Sequence, residues 1–156
     1  MSAEIKYFKT TNSLGGEITS NELVSASIGA IFKDTTSAEA IAGKTEYACI
    51  YIKNTGDSIA KVVKQWFLSN TPSADTQDSI GIGTSGVDGE EQSIANSKTA
   101  PVGVAFSAAA NEAACLNFPD LDIGKFHALW IKRVTQPNAS SIAVDNSVFR
   151  TKVDTL

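Results

Sequence analysis

One histidine, two cysteines and a few close sets of acids are the residues of this chain that could do chemistry. His127 sits in an apolar stretch, between Phe126 and Ala128 with Leu129 and Ile131 just beyond. A general base needs an orienting partner and a nucleophile within reach. The pattern supplies neither, so His127 is expected to be structural. One histidine with the distant Cys49 and Cys115 makes too few soft ligands for zinc. No serine lies in a nucleophile-elbow pattern. Asp75 with Asp78, Asp88 with Glu90 and Glu91, and Asp120 with Asp122 could offer oxygens to calcium, but none has the one-three-five spacing of a calcium loop. They are read as solvated loop acids. Gly81-Ile82-Gly83-Thr84-Ser85-Gly86 spells the Gly-x-Gly-x-x-Gly string, yet it opens no helix and lies in no βαβ unit, which leaves a turn. The sequon Asn138-Ala139-Ser140 has meaning only in a secreted chain. Catalytic, cofactor-binding and metal-ligating residues are therefore all assigned as none, and no enzymatic activity or cofactor is expected.

Composition narrows the partners. The chain has 156 residues, 42% of them hydrophobic, with 13 Lys and Arg against 17 Asp and Glu. That suits one domain with a real core. A mildly acidic chain without a cluster of basic residues is not expected to bind nucleic acid. Lys132-Arg133 is the nearest to such a cluster, and it reads as a solvated strand end. No apolar run approaches the roughly 20 residues of a membrane helix. Met1–Lys6 has no basic segment leading into an apolar one, so no signal peptide is expected. In a reducing cytoplasm Cys49 and Cys115 remain thiols rather than a disulfide.

The elements that would position any site are strands. Thr45–Leu68 organises the rest: an apolar strand, the turn Asn54-Thr55-Gly56-Asp57, and a second strand with Trp66. It reads as a hairpin. Tyr47, Cys49 and Tyr51 share one face and Ala48, Ile50 and Ile52 the other, so the first strand should be central. The adjacent pairs Val62-Val63 and Trp66-Phe67 place a bulge near Lys64-Gln65. Lys125–Val134 is the second strong strand, with Phe126, Ala128 and Trp130 on one face and His127, Leu129 and Ile131 on the other. Shorter strands are expected at Glu4–Lys9, Leu23–Ile28, Ser79–Gly83, Ser93–Ala95, Pro101–Phe106, Ile142–Val144 and Ser147–Arg150, with an extended piece at Ala30–Phe32. Thr36 and Glu39 have capping-box spacing and Gly43 could close a helix, but the segment is short and a loop is preferred. Loops are also assigned to Asn70–Asp78, Thr84–Gln92 and Ala108–Ala114, while Leu116–Gly124 carries Pro119 and acids. Short strands with frequent turn signals give an all-β, antiparallel β-sandwich. Both immunoglobulin-like and jelly-roll connections fit.

Three segments, Glu39-Ala40 with Gly43–Asn54, Ile94–Asn96 with Thr99–Ser107, and Leu121–Gly124 with Leu129–Val134, resemble a group of small virion structural proteins of tailed bacteriophages. The resemblance covers about residues 30–150. It implies a capsid decoration or cement protein: a β-sandwich at residues 31–156 behind an N-terminal arm and first strands at 1–30. It further implies docking on the assembled major capsid protein, a homo-oligomer with a trimer favoured, and a place on the outer capsid surface after synthesis in the host cytoplasm. The alternative it leaves is a tail or baseplate component whose sandwich grips a glycan or receptor. Neither membrane nor nucleic acid enters either reading.

Overall fold

The computed structural model describes residues 1–69, 75–140 and 147–154. Among the described residues, nine strands form two antiparallel sheets packed as a sandwich. They are β1 (Ile5–Thr10), β2 (Ile18–Glu22), β3 (Lys44–Asn54), β4 (Lys61–Ser69), β5 (Thr76–Ile82), β6 (Phe106–Ser107), β7 (Leu116–Phe118), β8 (Phe126–Thr135) and β9 (Val148–Asp154). The six-stranded sheet runs β2-β1-β3-β8-β5-β6 and the three-stranded sheet β7-β4-β9.

Strands β3 and β8 are apolar on both faces because the large sheet is covered on both. Inward, Ala48, Ile50, Ile52, Leu129 and Ile131 meet Val63, Phe67, Phe118 and Phe149 of the small sheet. Outward, Cys49, Tyr51, Ala128 and Trp130 lie under Leu14, Ile94, Val104 and Phe106. This outer cover is largely irregular chain, so the small sheet and the loops enclose the long strands between two layers. β3 is thus central, as its alternation predicts, and β8 lies beside it in the middle of the sheet. Tyr51 bolts the cover down: its hydroxyl donates to the Gly16 carbonyl and accepts from the Glu91 N–H. Burial, the main cause, pushes that phenol up to about 12.

The expected hairpin is an arch. β3 and β4 lie in different sheets, and both ladders of β3 are already filled, by β1 and β8. Their apolar inner faces therefore stack across the core instead of pairing. Asn54 builds the crossing. Its amide donates to the carbonyls of Ser58 at 2.8 Å and Leu121 at 2.9 Å, and its oxygen accepts from Gly56 at 3.0 Å. Gly56 leaves room for the N-terminal chain: a Cβ there would lie 2.3 Å from the Ser2 carbonyl oxygen.

Several local expectations change. The bulge lies at Val62–Val63: Lys61 pairs with Asp154 and Lys64 with Lys152, so three steps oppose two, whereas Lys64 and Gln65 pair regularly. Val62 carries the kink with φ of 50°. A second irregularity falls between Phe67 and Ser69. Thr36 and Glu39 do cap a short helix, α1 (Ser37–Ala42), rather than a loop, and Gly43 closes it at φ 73°. The strand expected at Leu23–Ile28 lies earlier, at β2, and Ile28–Ala30 is a 3-10 turn. Ser93–Ala95 forms no strand, and of Pro101–Phe106 only Phe106 enters one. Thr76–Asp78 belongs to β5, Leu116–Phe118 is β7, and Glu112–Ala114 is a 3-10 turn capped by Asn111. Ile142–Val144 and Asn70–Ala74 lie outside the described residues. Residues 1–30 supply β1 and β2, and Ile5, Tyr7, Leu23 and Ile28 pack into the same core.

Candidate functional site

The fold takes up most of the residues that could have carried chemistry. His127 is 3% exposed on the inner face of β8. Its ring meets Phe118 edge-on at 5.1 Å, and its Nδ1 lies 2.9 Å from the Ala128 carbonyl. Burial holds its pKa below the usual histidine range, so the ring is neutral. No hydroxyl or thiol among the described residues hydrogen-bonds to it. Cys49 and Cys115 are free thiols. Burial first, then the Glu91 charge, push the Cys49 thiol far up, which makes it a poor nucleophile.

The acids are structural. Asp88 is ion-paired to Lys125 at 2.6 Å and accepts from the Phe126 N–H. Asp120 accepts from Val62 and Asp122 from Ile123. Asp75 accepts from the Ser140 N–H. Among the described residues no three His, Cys, Asp or Glu side chains group closely enough to hold a metal ion. The glycine-rich string ends β5 and turns, and the anion it cradles is the chain's own: the Glu91 carboxylate, 2% exposed, accepts from the Thr84 N–H, the Thr84 hydroxyl and the Gln92 N–H. Glu91 is thus a buried anchor for its loop, not a solvated acid.

Arg133 is not a solvated strand end either. It turns inward and is 9% exposed. Its Nε and Nη2 donate to one Glu46 oxygen at 2.9 and 2.7 Å, and Nη2 also donates to the Lys33 carbonyl at 2.6 Å. The guanidinium stacks 4.8 Å from the Phe32 ring. Lys44 lies 3.0 Å from Glu39 and 3.1 Å from Glu46. The Glu39 carboxyl is held down to about 2, first by the Thr36 N–H and then by Lys44. These contacts fasten α1 and the chain leading into it to the end of the large sheet.

Register shows why these residues meet. Ala48, Ile131 and Ile80 form one cross-strand row of the inner face. The next inward row is Glu46, Arg133 and Asp78, and the last is Lys44, Thr135 and Thr76. The inner face therefore changes from apolar to polar over its final two rows. Above them lies a cleft of about 500 Å3, lined in part by Asp34, Thr76, Asp78, Arg133, Thr135 and Ser140. Asp78 accepts from the Ser147 hydroxyl. With Arg133 neutralised by Glu46, the cleft offers hydroxyls and carboxylates, and neither an imidazole nor a thiol lines it. That equipment suits hydrogen bonding rather than nucleophilic chemistry. The signal was present in sequence: period-two alternation along β3 and β8 puts Lys44, Glu46, Arg133 and Thr135 on the core face.

No family model, curated protein or solved structure matches this chain.

Proposed function

We propose that this chain is a non-catalytic structural protein of a tailed-phage virion, a decoration or cement protein that docks on the assembled major capsid lattice as a homo-oligomer, with a trimer favoured. One observation carries the reading. His127, Cys49, Asp78 and Glu91 are held inside by the fold, while large apolar side chains stand outside on loops: Val24 at 90%, Val102 at 80% and Ile123 at 55% exposure. Apolar side chains on loop tips are available for docking, not for reaction. The segments that carry the phage resemblance also adjoin in space. β3 and β8 pair along their length, Tyr47 meets Phe106 at 5.5 Å, and the Lys132 ammonium lies 5.8 Å from the same Phe106 ring.

The alternative, a tail or baseplate module that grips a glycan by aromatic stacking, has less support. Every Trp, Tyr and Phe is buried or half-buried, which leaves a sugar ring no open platform. Heating undecorated shells with and without the purified protein tests the main reading. Shells that open at a higher temperature with the protein present support it; an unchanged opening temperature at saturating protein rejects it.

A further inference from the structure

The small sheet leaves one long edge open. Of the four strands that end a sheet, β6 has two residues, β7 three, β2 five and β9 seven. A short edge strand is protected against pairing by its length, and a long one is not. The start of β9 is covered: Phe149 donates its N–H to the Ala26 carbonyl at 3.0 Å, and the Ser147 carbonyl accepts from the Ile28 N–H at 2.9 Å. These groups point away from β4. Alternation along the strand aims the main-chain groups of Thr151 and Val153 the same way, and among the described residues nothing pairs with them there. We propose that this edge pairs with the same edge of a second copy of the chain, antiparallel and about a two-fold axis at Val153.

The side chains fix both the partner and the register. Arg150, Lys152 and Asp154 are exposed on the outer face of β9. Phe149 and Val153 pack on the core, and Thr151 reaches the Tyr7 hydroxyl there. Centred on Val153, the pair sets each Lys152 opposite an Asp154 of the other copy, and opposite charges across a ladder are favourable. Lys152 already lies 3.1 Å from Glu112 of its own chain, and an ammonium has donors to spare. The two Val153 side chains meet on the core side. Centring on Lys152 or on Asp154 would oppose like charges. Centring on Thr151 would set Arg150 against Lys152 and demand the Phe149 N–H that Ala26 already holds. A contact this short is weak. It is two-fold and makes a dimer, so it is separate from the trimer favoured for the shell-bound protein and requires no shell.

The test is sedimentation of the full chain over a wide concentration range without shells, beside amide spectra of the 15N-labelled protein. A monomer–dimer equilibrium, with line broadening centred on Thr151–Asp154, supports the proposal. Lys152→Asp and Asp154→Lys should each weaken dimerisation about tenfold, because the two-fold axis counts each change twice. The double variant carrying both changes should restore it. Val153→Pro removes an outward N–H that β4 does not use, and should abolish the dimer. The charge variants alter exposed side chains only and serve if Val153→Pro folds poorly. A chain that stays monomeric at every concentration, forms only trimers, or dimerises equally well in all variants would overturn the proposal. So would broadening at Thr151–Asp154 that appears only when dissociated capsid subunits are added, which assigns the edge to a strand of that partner. Failure of the dimer leaves docking on shells untouched.

Discussion

Glu46 serves two cations at once, Arg133 at 2.7 Å and Lys44 at 3.1 Å, with its side chain only 12% exposed. Removing one member of such a group leaves charge stranded in a poorly solvated place. Glu46→Ala is therefore expected to cost about 3 kcal/mol, read as a lower urea midpoint at unchanged slope. His127 makes a different prediction. Its folded pKa lies below 6.5 because burial disfavours the imidazolium. The unfolded chain takes up a proton that the folded chain resists, so this contribution is complete above pH 6.5 and is lost as pH falls below it. His127→Leu, which keeps an apolar body against Phe118, should flatten that acid-side loss in melts at pH 5 and pH 7.5. Both residues act on the fold, and neither faces a nucleophile.

At the scale of elements, the arch and the small helix are the informative pieces. Asn54 is fully buried and holds carbonyls from both sides of the crossing. Asn54→Ala would leave those carbonyls and the Gly56 N–H without it, at about 1–3 kcal/mol. Helix α1 rests on Thr36 and Glu39. Thr36→Ala should cost about 1 kcal/mol. Glu39 has its folded pKa lowered from 4.5 to about 2, so its help is present above pH 4.5 and disappears as pH falls toward 2. Amide exchange of α1 should accelerate over that window before the sheets open. The two long strands, their faces and the capping spacing were legible in the sequence because period two and capping chemistry are local. The arch was not legible. Asn54-Thr55-Gly56-Asp57 looks the same whether the next strand pairs with β3 or stacks over it, and only the distant β1 and β8 decide by filling both ladders of β3. Arg133 was misread for a related reason. Its neighbour Lys132 faces the outer side, and a charged pair at a strand end hides that one member points into the core.

For the whole molecule, the division of labour is between a closed interior and apolar loop tips. The Val24 and Val102 side chains are 90% and 80% exposed, so Val24→Asp and Val102→Asp should change stability by no more than about 0.5 kcal/mol. On a docking surface the same changes place an unpaired charge against a partner and should lower affinity for shells at least tenfold. On the proposed decoration role, the acidic balance, 17 acids against 13 bases, would favour a dispersed free protein before docking. The most direct measurement is a binding isotherm of the purified protein on assembled undecorated shells, set beside one on dissociated capsid subunits. The account predicts saturation on shells at a fixed ratio to symmetry-related sites and no saturation on subunits. Equal binding to both, or binding to neither, would contradict it.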